Sequence, residues 1–244
     1  LDVSPSDVLT SATFDYKQMA GNVTISGLEQ IQNSGTEAVI NLLESRIGVL
    51  EKTMSNTLST SLYSDGTGTS GKEVGGLQLI VADAGSGTVG GINSSTYTFW
   101  QNAQTTATRS AFSTKNIQAD MNTIYLSLVR GADSPDLIMA DTNSYKSFLG
   151  SLQAIQRVTS DRVATSGFTS VQYLNSDVIF DDACPTNKMY FLNTDYLRLE
   201  VAANRNFVPG EAKMSVNQDA MVTPMFWSGN LTCSNRALQG VIHT

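Results

Sequence analysis

The stretch SGTEAVINLLESRIGVLEKTMSNTLSTSL, residues 34–62, carries the strongest structural signal in the chain. Ser34 and Glu37 match the capping box, in which each side chain binds a backbone N–H at the start of a helix. Apolar residues then recur every three or four positions in a single stripe: Val39, Leu43, Ile47, Leu50, Met54, Leu58 and Leu62. At a rise of 1.5 Å per residue, a helix over 35–62 is roughly 40 Å long, so we expect a scaffold along which other elements lie.

On the N-terminal side of this helix, residues 1–33 alternate between polar and apolar side chains. A period near two predicts extended strands, around Phe14–Met19 and Val23–Leu28. This segment has too few apolar residues to close a core of its own. We therefore expect an arm or hairpin that packs elsewhere.

On the C-terminal side, residues 113–201 predict an α/β arrangement of helix, strand, helix and further strands. The first helix covers 115–130 with Gly131 as its C-terminal cap, and the second begins at Asp141 or Thr142 after a strand at 135–140. The predicted strands are 170–174, 177–180, 189–192 and 196–201 here, 77–82 and 96–101 before this region, and 220–227, 230–234 and 238–242 after it. We expect the tail, 206–244, to complete the domain that begins before residue 110.

The sequence LIVADAGSGTVGGI, residues 79–92, contains a G-x-G-x-x-G pattern at 85–90. A dinucleotide site would need a strand before these glycines, a helix after them and an acidic residue about 20 positions on. Residues 93–100 instead resist helix formation, and the next acidic residue is Asp120. The pattern therefore favours a structural loop over a nucleotide-binding enzyme, which stays as an alternative. A second match, at 66–71, follows a predicted helix rather than a strand, so it does not predict a phosphate site either.

The amino-acid composition further restricts the class of function. The chain is 41% hydrophobic but only 15% charged, against about a quarter in average proteins, and such a surface suits extensive subunit contact. A net charge of −7 disfavours specific binding to nucleic acid. No apolar run is long enough to span a membrane. Leu1 is not an initiator methionine, so we expect an N-terminal segment to have preceded it.

Catalytic groups are sparse. The one histidine, His243, is second from the end and is expected to be a solvated tail residue. Cys184 and Cys233 are expected to be reduced and packed, and the pair Asp181–Asp182 to form a turn or cap. Surface or interface salt bridges are the expected role of Arg109, Arg130 and Arg157. We predict that the protein is not an enzyme and that it binds neither a metal ion nor a cofactor.

Several segments, in order, resemble a family of major capsid proteins from tailed bacteriophages and prophages. They are TFDYKQMAGNVTISGLEQIQNSG (13–35), GGLQ (75–78), GTVGGI (87–92), FWQN (99–102), PDLIMAD (135–141) and MFWSGNLTCSNR (225–236). The resemblance implies an α+β Hong Kong 97-type capsid fold. Its parts would be an extended loop with its return strand (1–34), a peripheral domain (35–112 with 206–244) including the spine helix (35–62), and an axial domain (113–205).

By the same resemblance, the chain would self-assemble into the hexamers and pentamers of an icosahedral shell in the virion, built in the host bacterial cytoplasm. Possible partners are portal, scaffolding and maturation protease proteins, with double-stranded DNA held only non-specifically and no membrane. A cellular encapsulating shell protein of the same fold is the other alternative. Lys17 could form a covalent crosslink between subunits. The candidate subunit-interface or loop-packing residues are Phe14, Tyr16, Lys17, Gly87, Gly90, Gly91, Trp100 and Trp227.

Overall fold

The computed structural model describes residues 10–32, 42–107, 116–153 and 171–244. Its helices are α1 (Gly27–Gln32), α2 (Leu42–Ser61), α3 (Gly68–Gly71, a single turn), α4 (Leu77–Ile80), α5 (Ile117–Leu128) and α6 (Thr142–Gln153). Its strands are β1 (Lys17–Ser26), β2 (Thr88–Val89), β3 (Ile92–Asn93), β4 (Ala103–Thr106), β5 (Leu137–Ala140), β6 (Val171–Tyr173), β7 (Ser176–Phe180), β8 (Lys188–Leu192), β9 (Leu197–Val201), β10 (Val208–Pro209), β11 (Lys213–Met214), β12 (Ala220–Cys233) and β13 (Gly240–His243).

The described residues form two compact units. One contains the residues up to Asp15 together with Leu77–Arg198 and Thr232–Thr244, and the other contains Tyr16–Gly76 with Leu199–Leu231. We call them the six-stranded unit and the spine unit, after their main elements. Their boundaries differ from the predicted segments, because 77–107 and 232–244 join residues of the predicted axial domain.

The spine unit is built on one long antiparallel pair. Strand β1 pairs with β12 along its full length, and β9, β10 and β11 also pair with β12. Helix α2 packs on β1, with Leu50 and Met54 lying against Gly21. The predicted spine helix is confirmed from Leu42 to Ser61, and the capping box at Ser34 and Glu37 lies outside the described residues.

The apolar stripe of α2 is buried most deeply in its C-terminal half. Met54 and Leu58 are buried, whereas Leu43, Ile47 and Leu50 are partly exposed. Exposed threonines of the helix donate to the carbonyl four residues earlier, as Thr53 does to Val49 at 2.9 Å. This exposed polar face and half-buried apolar face are what the heptad-like spacing predicts.

A capping box that the sequence analysis missed ends β1. Glu29 N donates to Ser26 Oγ at 3.3 Å, and Ser26 N donates to Glu29 Oε2 at 3.1 Å. The signal, Ser26-Gly-Leu-Glu29, is visible in the sequence. It explains why the predicted strand through Leu28 stops at Ser26 and α1 begins at Gly27.

The six-stranded unit has a mixed sheet in the order β4-β13-β8-β5-β7-β6. The pairs β4–β13 and β5–β7 are parallel, and the others are antiparallel. The core under the sheet is formed by buried apolar residues of α5, the strands and α6, including Ile117, Met121, Ile124, Leu128, Ile138, Phe148, Val178, Phe191 and Ile242.

Most predicted elements in this unit are confirmed with shifted ends. Asp141 is the cap of α6, since Oδ1 accepts from Ser144 N at 3.0 Å and Oδ2 accepts from Asn143 N at 3.2 Å. Gly131 is not the cap of α5, which ends at Leu128. Its positive φ of 65° instead serves the tight turn in which Arg130 and Asp133 exchange backbone hydrogen bonds.

Two strand predictions were wrong in kind. The stretch 77–82 forms the short helix α4, and 96–101 forms a 3-10 turn at Thr98–Trp100 that precedes β4. His243, predicted to be a solvated tail residue, is partly exposed but lies in β13, where its ring nitrogen is 3.3 Å from Gln104 Oε1. These elements depend on partners distant in sequence, which local periodicity does not report.

Candidate functional site

The glycine-rich loop has the wrong surroundings for a phosphate site. It follows the short helix α4 rather than a strand, and it leads into the small hairpin β2–β3 rather than a helix. The pattern therefore lacks the helix N-terminus that would face a pyrophosphate. The nucleotide-enzyme alternative loses its structural basis.

Gly90 and Gly91 form the turn of that hairpin. Their φ values are 60° and 80°, and they separate the paired residues Val89 and Ile92. Two consecutive residues with positive φ are what a two-residue hairpin of type I′ requires. A Gly-Gly pair between β-forming residues is a known hairpin signal, so this turn was readable from the sequence, although we did not predict it.

Gly87, in the first half of the loop, forms hydrogen bonds with Ser94, which follows the hairpin. Gly87 N donates to Ser94 Oγ at 2.9 Å, and Ser94 Oγ and N donate back to Gly87 O. Ser94 is fully buried. The amide of Gly87 is thus engaged within the loop and does not face a ligand.

Gly90 touches the N-terminal segment of the same unit. Thr13 N donates to Gly90 O at 3.0 Å. A Cβ added at Gly90 would lie 2.7 Å from Ala12 Cβ and 3.3 Å from Phe14 Cζ. Gly90 is therefore required both for its backbone angle and for this close approach, and Phe14 is one of the residues that it faces.

Trp100 holds the other side of the hairpin. Its side chain is 5% exposed, and its indole Nε1 donates to Val89 O at 3.0 Å. Among the predicted site residues, Phe14, Gly90, Gly91 and Trp100 thus lie together in the six-stranded unit. Subunit contact by these residues stays a prediction.

A buried arginine that the sequence analysis missed fixes this region. Arg236 is 0% exposed, and its guanidinium donates to Ile80 O at 2.6 Å, Trp100 O at 3.0 Å and Asn102 Oδ1 at 2.9 Å. Its acceptors are neutral, and burial lowers the pKa of Arg236. The guanidinium ties α4, the turn before β4 and the tail together. Nothing in the local sequence marks Arg236 as buried.

A cleft of about 830 Å³ opens beside the hairpin. Its lining includes the apolar residues Phe14, Ile92, Phe99 and Trp100 and the polar residues Arg130 and Asn235. Phe99 is 55% exposed and packs at 6.0 Å from Tyr97. The cleft offers apolar surface but no catalytic arrangement.

The other predicted site residues belong to the spine unit. Tyr16 is 65% exposed, whereas Trp227 is 1% exposed and lies opposite Met19 in the β1–β12 pair. Lys17 Nζ donates to Gly71 O at 2.6 Å. A crosslink through Lys17, which stays a prediction, would first have to break this bond.

The remaining candidates for chemistry have structural roles or lie outside the description. Asp181 Oδ1 accepts from Ala183 N at 2.9 Å, which confirms a turn. Cys184 and Cys233 are buried and not disulfide bonded, as predicted. Burial raises the pKa of Cys184 to about 12 and that of Cys233 to about 11. Arg109 and Arg157 lie outside the described residues.

Within the described ranges, no group of three or more His, Cys, Asp or Glu side chains is placed to hold a metal ion. None of the helices in those ranges has both the length and the apolar character needed to cross a membrane.

The architecture defines a class of protein. A long helix packed on a long antiparallel pair, together with a mixed sheet flanked by helices, is the α+β Hong Kong 97-type capsid fold. No protein-family model and no curated protein matches the chain.

Several solved structures are similar to this chain. The capsid of cyanophage A-1(L) matches with a TM-score of 0.74 and 16% identity, over 94% of this chain and 76% of that chain. The SrpI encapsulin of Synechococcus elongatus matches with a TM-score of 0.67 and 9% identity, over 93% and 73%. The capsid of Myoviridae phage XM1 matches with a TM-score of 0.62 and 10% identity, over 98% and 80%. At such identities these likenesses establish the fold.

Proposed function

We propose that the protein is the major capsid protein of a tailed phage or prophage. In this role it assembles into hexamers and pentamers of an icosahedral shell that encloses double-stranded DNA, and it acts without catalysis. The observation that carries the proposal is the match to the cyanophage capsid over 94% of the chain. The low charged fraction of 15% supports it, because sparsely charged surfaces lose less on desolvation between subunits.

The segment roles of the capsid fold can be assigned to the two units. We place the axial role in the six-stranded unit and the peripheral role, with the spine helix, in the spine unit. This moves 77–107 and 232–244 out of the predicted peripheral segment, because β4 and β13 pair within the six-stranded sheet. We keep the predicted assignment of residues 1–34 to the extended loop and its return strand, which is β1.

The test is assembly of the complete gene product. Purified protein should sediment as particles or rings, and electron microscopy should reveal closed shells, tubes or hexameric and pentameric capsomers. A complete product that stays monomeric at high concentration would contradict the proposal.

A cellular shell protein of the same fold is the second candidate. The match to the SrpI encapsulin, with a TM-score of 0.67, favours keeping it. The two candidates differ in what the shell contains and in the genes beside it. Nuclease-protected double-stranded DNA in particles, with portal, protease and tail genes nearby, supports the phage protein. Protein contents and neighbouring cargo-enzyme genes support the cellular shell.

We expect the phage protein to work with portal, scaffolding and maturation protease proteins, to assemble in the host cytoplasm and to reside in the virion. The negative net charge of −7 fits a container that holds its DNA without specific contacts. Particles purified from the native host should contain these partners in substoichiometric amounts by mass spectrometry.

A further inference from the structure

Strand β1 leaves one side of the spine-unit sheet open. It is the longest described strand with a single strand neighbour, since β12 pairs with β1 on one side and with β9, β10 and β11 on the other. Within the described ranges, no strand pairs with the second side of β1. An edge of this length is a template for pairing with another strand.

The direction of each backbone group in β1 follows from its surroundings. In an antiparallel pair, opposite residues alternate between those that exchange hydrogen bonds and those whose polar groups point away. In β12, Ser228 N donates to Arg205 O, and Pro224 O accepts from Gly210 N. Both residues therefore direct their backbone groups away from β1. Their partners in β1, Gln18 and Asn22, therefore point their own groups outward, and so do Ala20, Thr24 and Ser26.

One end of this edge is closed by side chains. Arg46 Nη1 donates to Thr24 O at 2.6 Å, and Glu29 Oε2 accepts from Ser26 N at 3.1 Å. Arg46 and Glu29 bind each other at 2.6 and 3.1 Å. An incoming strand would meet this charged pair after Asn22, so the open part of the edge is centred on Ala20.

The open part carries none of the usual protection. Gln18, Ala20 and Asn22 are exposed and uncharged, whereas edge strands of monomeric proteins are commonly protected by charged residues or proline. No hydrogen bond of the described residues uses their outward groups. Three residues with paired N–H and C=O groups suffice for a short ladder with a second strand.

We propose that this edge pairs with the same strand of a second copy of the chain, antiparallel and centred on Ala20. Ala20 then lies opposite Ala20 of the partner subunit, and Gln18 lies opposite Asn22 of the partner subunit. The two amides can bond across the strands, and no like charges face each other. Since β1 is the longest open edge among the described strands, self-pairing satisfies the most backbone groups that these strands leave open.

A small groove supports the same contact. It has a volume of about 330 Å³ and lies between β1 and α2, where Val23, Val49 and Leu50 contribute apolar surface. Val49 is 64% exposed. A strand added to the edge would lie beside this groove and cover Val49, which adds burial to the hydrogen bonds.

The symmetry of the contact gives it a place in assembly. A contact between identical patches is isologous and closes on itself as a pair, so it cannot generate a ring of five or six. In a shell, pairing through β1 therefore joins subunits of neighbouring capsomers, and this step rests on the proposed function.

The first test is a cysteine at the symmetry point. Opposite Cα atoms in a hydrogen-bonded antiparallel pair are about 5.5 Å apart, within the range of a disulfide. Assembled Ala20→Cys protein under mild oxidation should give a disulfide-linked dimer, at least tenfold more than Ser55→Cys, an exposed position on α2. If Ala20→Cys forms normal particles but gives no disulfide-linked dimer, the proposed pairing is wrong and the shell function is unaffected.

The second test uses opposite charges. Ala20→Asp and Ala20→Lys each place like charges face to face, so each protein alone should lose at least tenfold in dimer or particle yield, with an unchanged circular dichroism spectrum. Mixing the two proteins should restore the yield, because Asp then faces Lys. Loss without restoration by mixing would contradict the self-pairing register.

Discussion

At the scale of single residues, the glycine loop illustrates how one sequence pattern can belong to two structures. Gly90 and Gly91 both have positive φ, but only Gly90 lacks room for a side chain, because Ala12 and Phe14 lie next to the position of its missing Cβ. Gly91 has ordinary room, since an added Cβ would be 3.6 Å from Thr13 Oγ1. Comparing Gly90 with Gly91 therefore separates the cost of a positive φ from the cost of a steric clash.

Gly90→Ala should therefore destabilise the protein more than Gly91→Ala. Each pays about 1–2 kcal/mol for a left-handed backbone, and Gly90→Ala must also displace Ala12. Urea denaturation measures both changes. Gly48→Ala is the matched control, because it lies in α2 with nothing within 4 Å and should stabilise by about 0.5–1 kcal/mol. Equal losses at Gly90 and Gly91 would remove the contact with Ala12 from the explanation.

Arg236 is the residue on which the six-stranded unit is expected to depend most. Replacing Arg236 with Met leaves three buried acceptors without their donor, and each such loss costs about 1–3 kcal/mol. We expect a drop of about 3 kcal/mol or more in the free energy of unfolding, measured in urea. Arg236→Lys keeps the charge but not the planar set of donors, so its loss should be intermediate. A Met variant of wild-type stability would refute this role.

The two thiols should be silent in the folded protein. Burial raises the pKa of Cys184 to about 12, with added effects of Asp141 and Asp181, and raises that of Cys233 to about 11. At pH 8 an aromatic disulfide reagent should label neither cysteine until denaturant is added. Rapid labelling of either thiol in native protein would contradict its burial.

At the scale of elements, the Glu29–Arg46 pair connects α1, α2 and the end of β1. The hydrogen bond from Arg46, followed by that from Ser26 N, lowers the pKa of Glu29 below its ordinary value of 4.5. A carboxylate with a lowered pKa contributes stability that is complete above the unfolded pKa and is lost as the pH falls through the folded pKa.

This predicts a pH effect with a defined sign. The carbon-13 NMR titration of Glu29 should have its midpoint below 4.5, and Arg46→Gln should shift that midpoint upward. Arg46→Gln should also flatten the loss of stability between neutral and acidic pH. Lys52→Gln, an exposed substitution on the same helix, should leave the titration of Glu29 unchanged. An unshifted midpoint in Arg46→Gln would contradict the assigned cause.

At the scale of the whole molecule, the six-stranded sheet is completed by the last strand of the sequence. Strand β13 lies between β4 and β8, and Val241 and Ile242 are fully buried. Folding of this unit thus joins residues near 103, 190 and 241 of the chain.

Removal of residues 240–244 should prevent this unit from folding. It takes away hydrogen bonds to two strands and opens the core, so we expect aggregation or loss of cooperative thermal unfolding. Removal of Thr244 alone, which is exposed and outside β13, should leave the melting temperature within about 2 °C of the original. A folded protein lacking 240–244 would contradict the central position of β13.

The sequence by itself determined the elements whose signals are local. The helices α2, α5 and α6 follow from apolar spacing and the Asp141 cap, most strands from short apolar runs, and the inert thiols from the lack of any motif. The tertiary structure alone decided which strands are neighbours, that β13 lies inside a sheet, that Arg236 is buried, and that Gly90 faces Ala12 and Phe14. These features depend on contacts between residues tens to hundreds of positions apart, and their energies are absent from any local window of the chain.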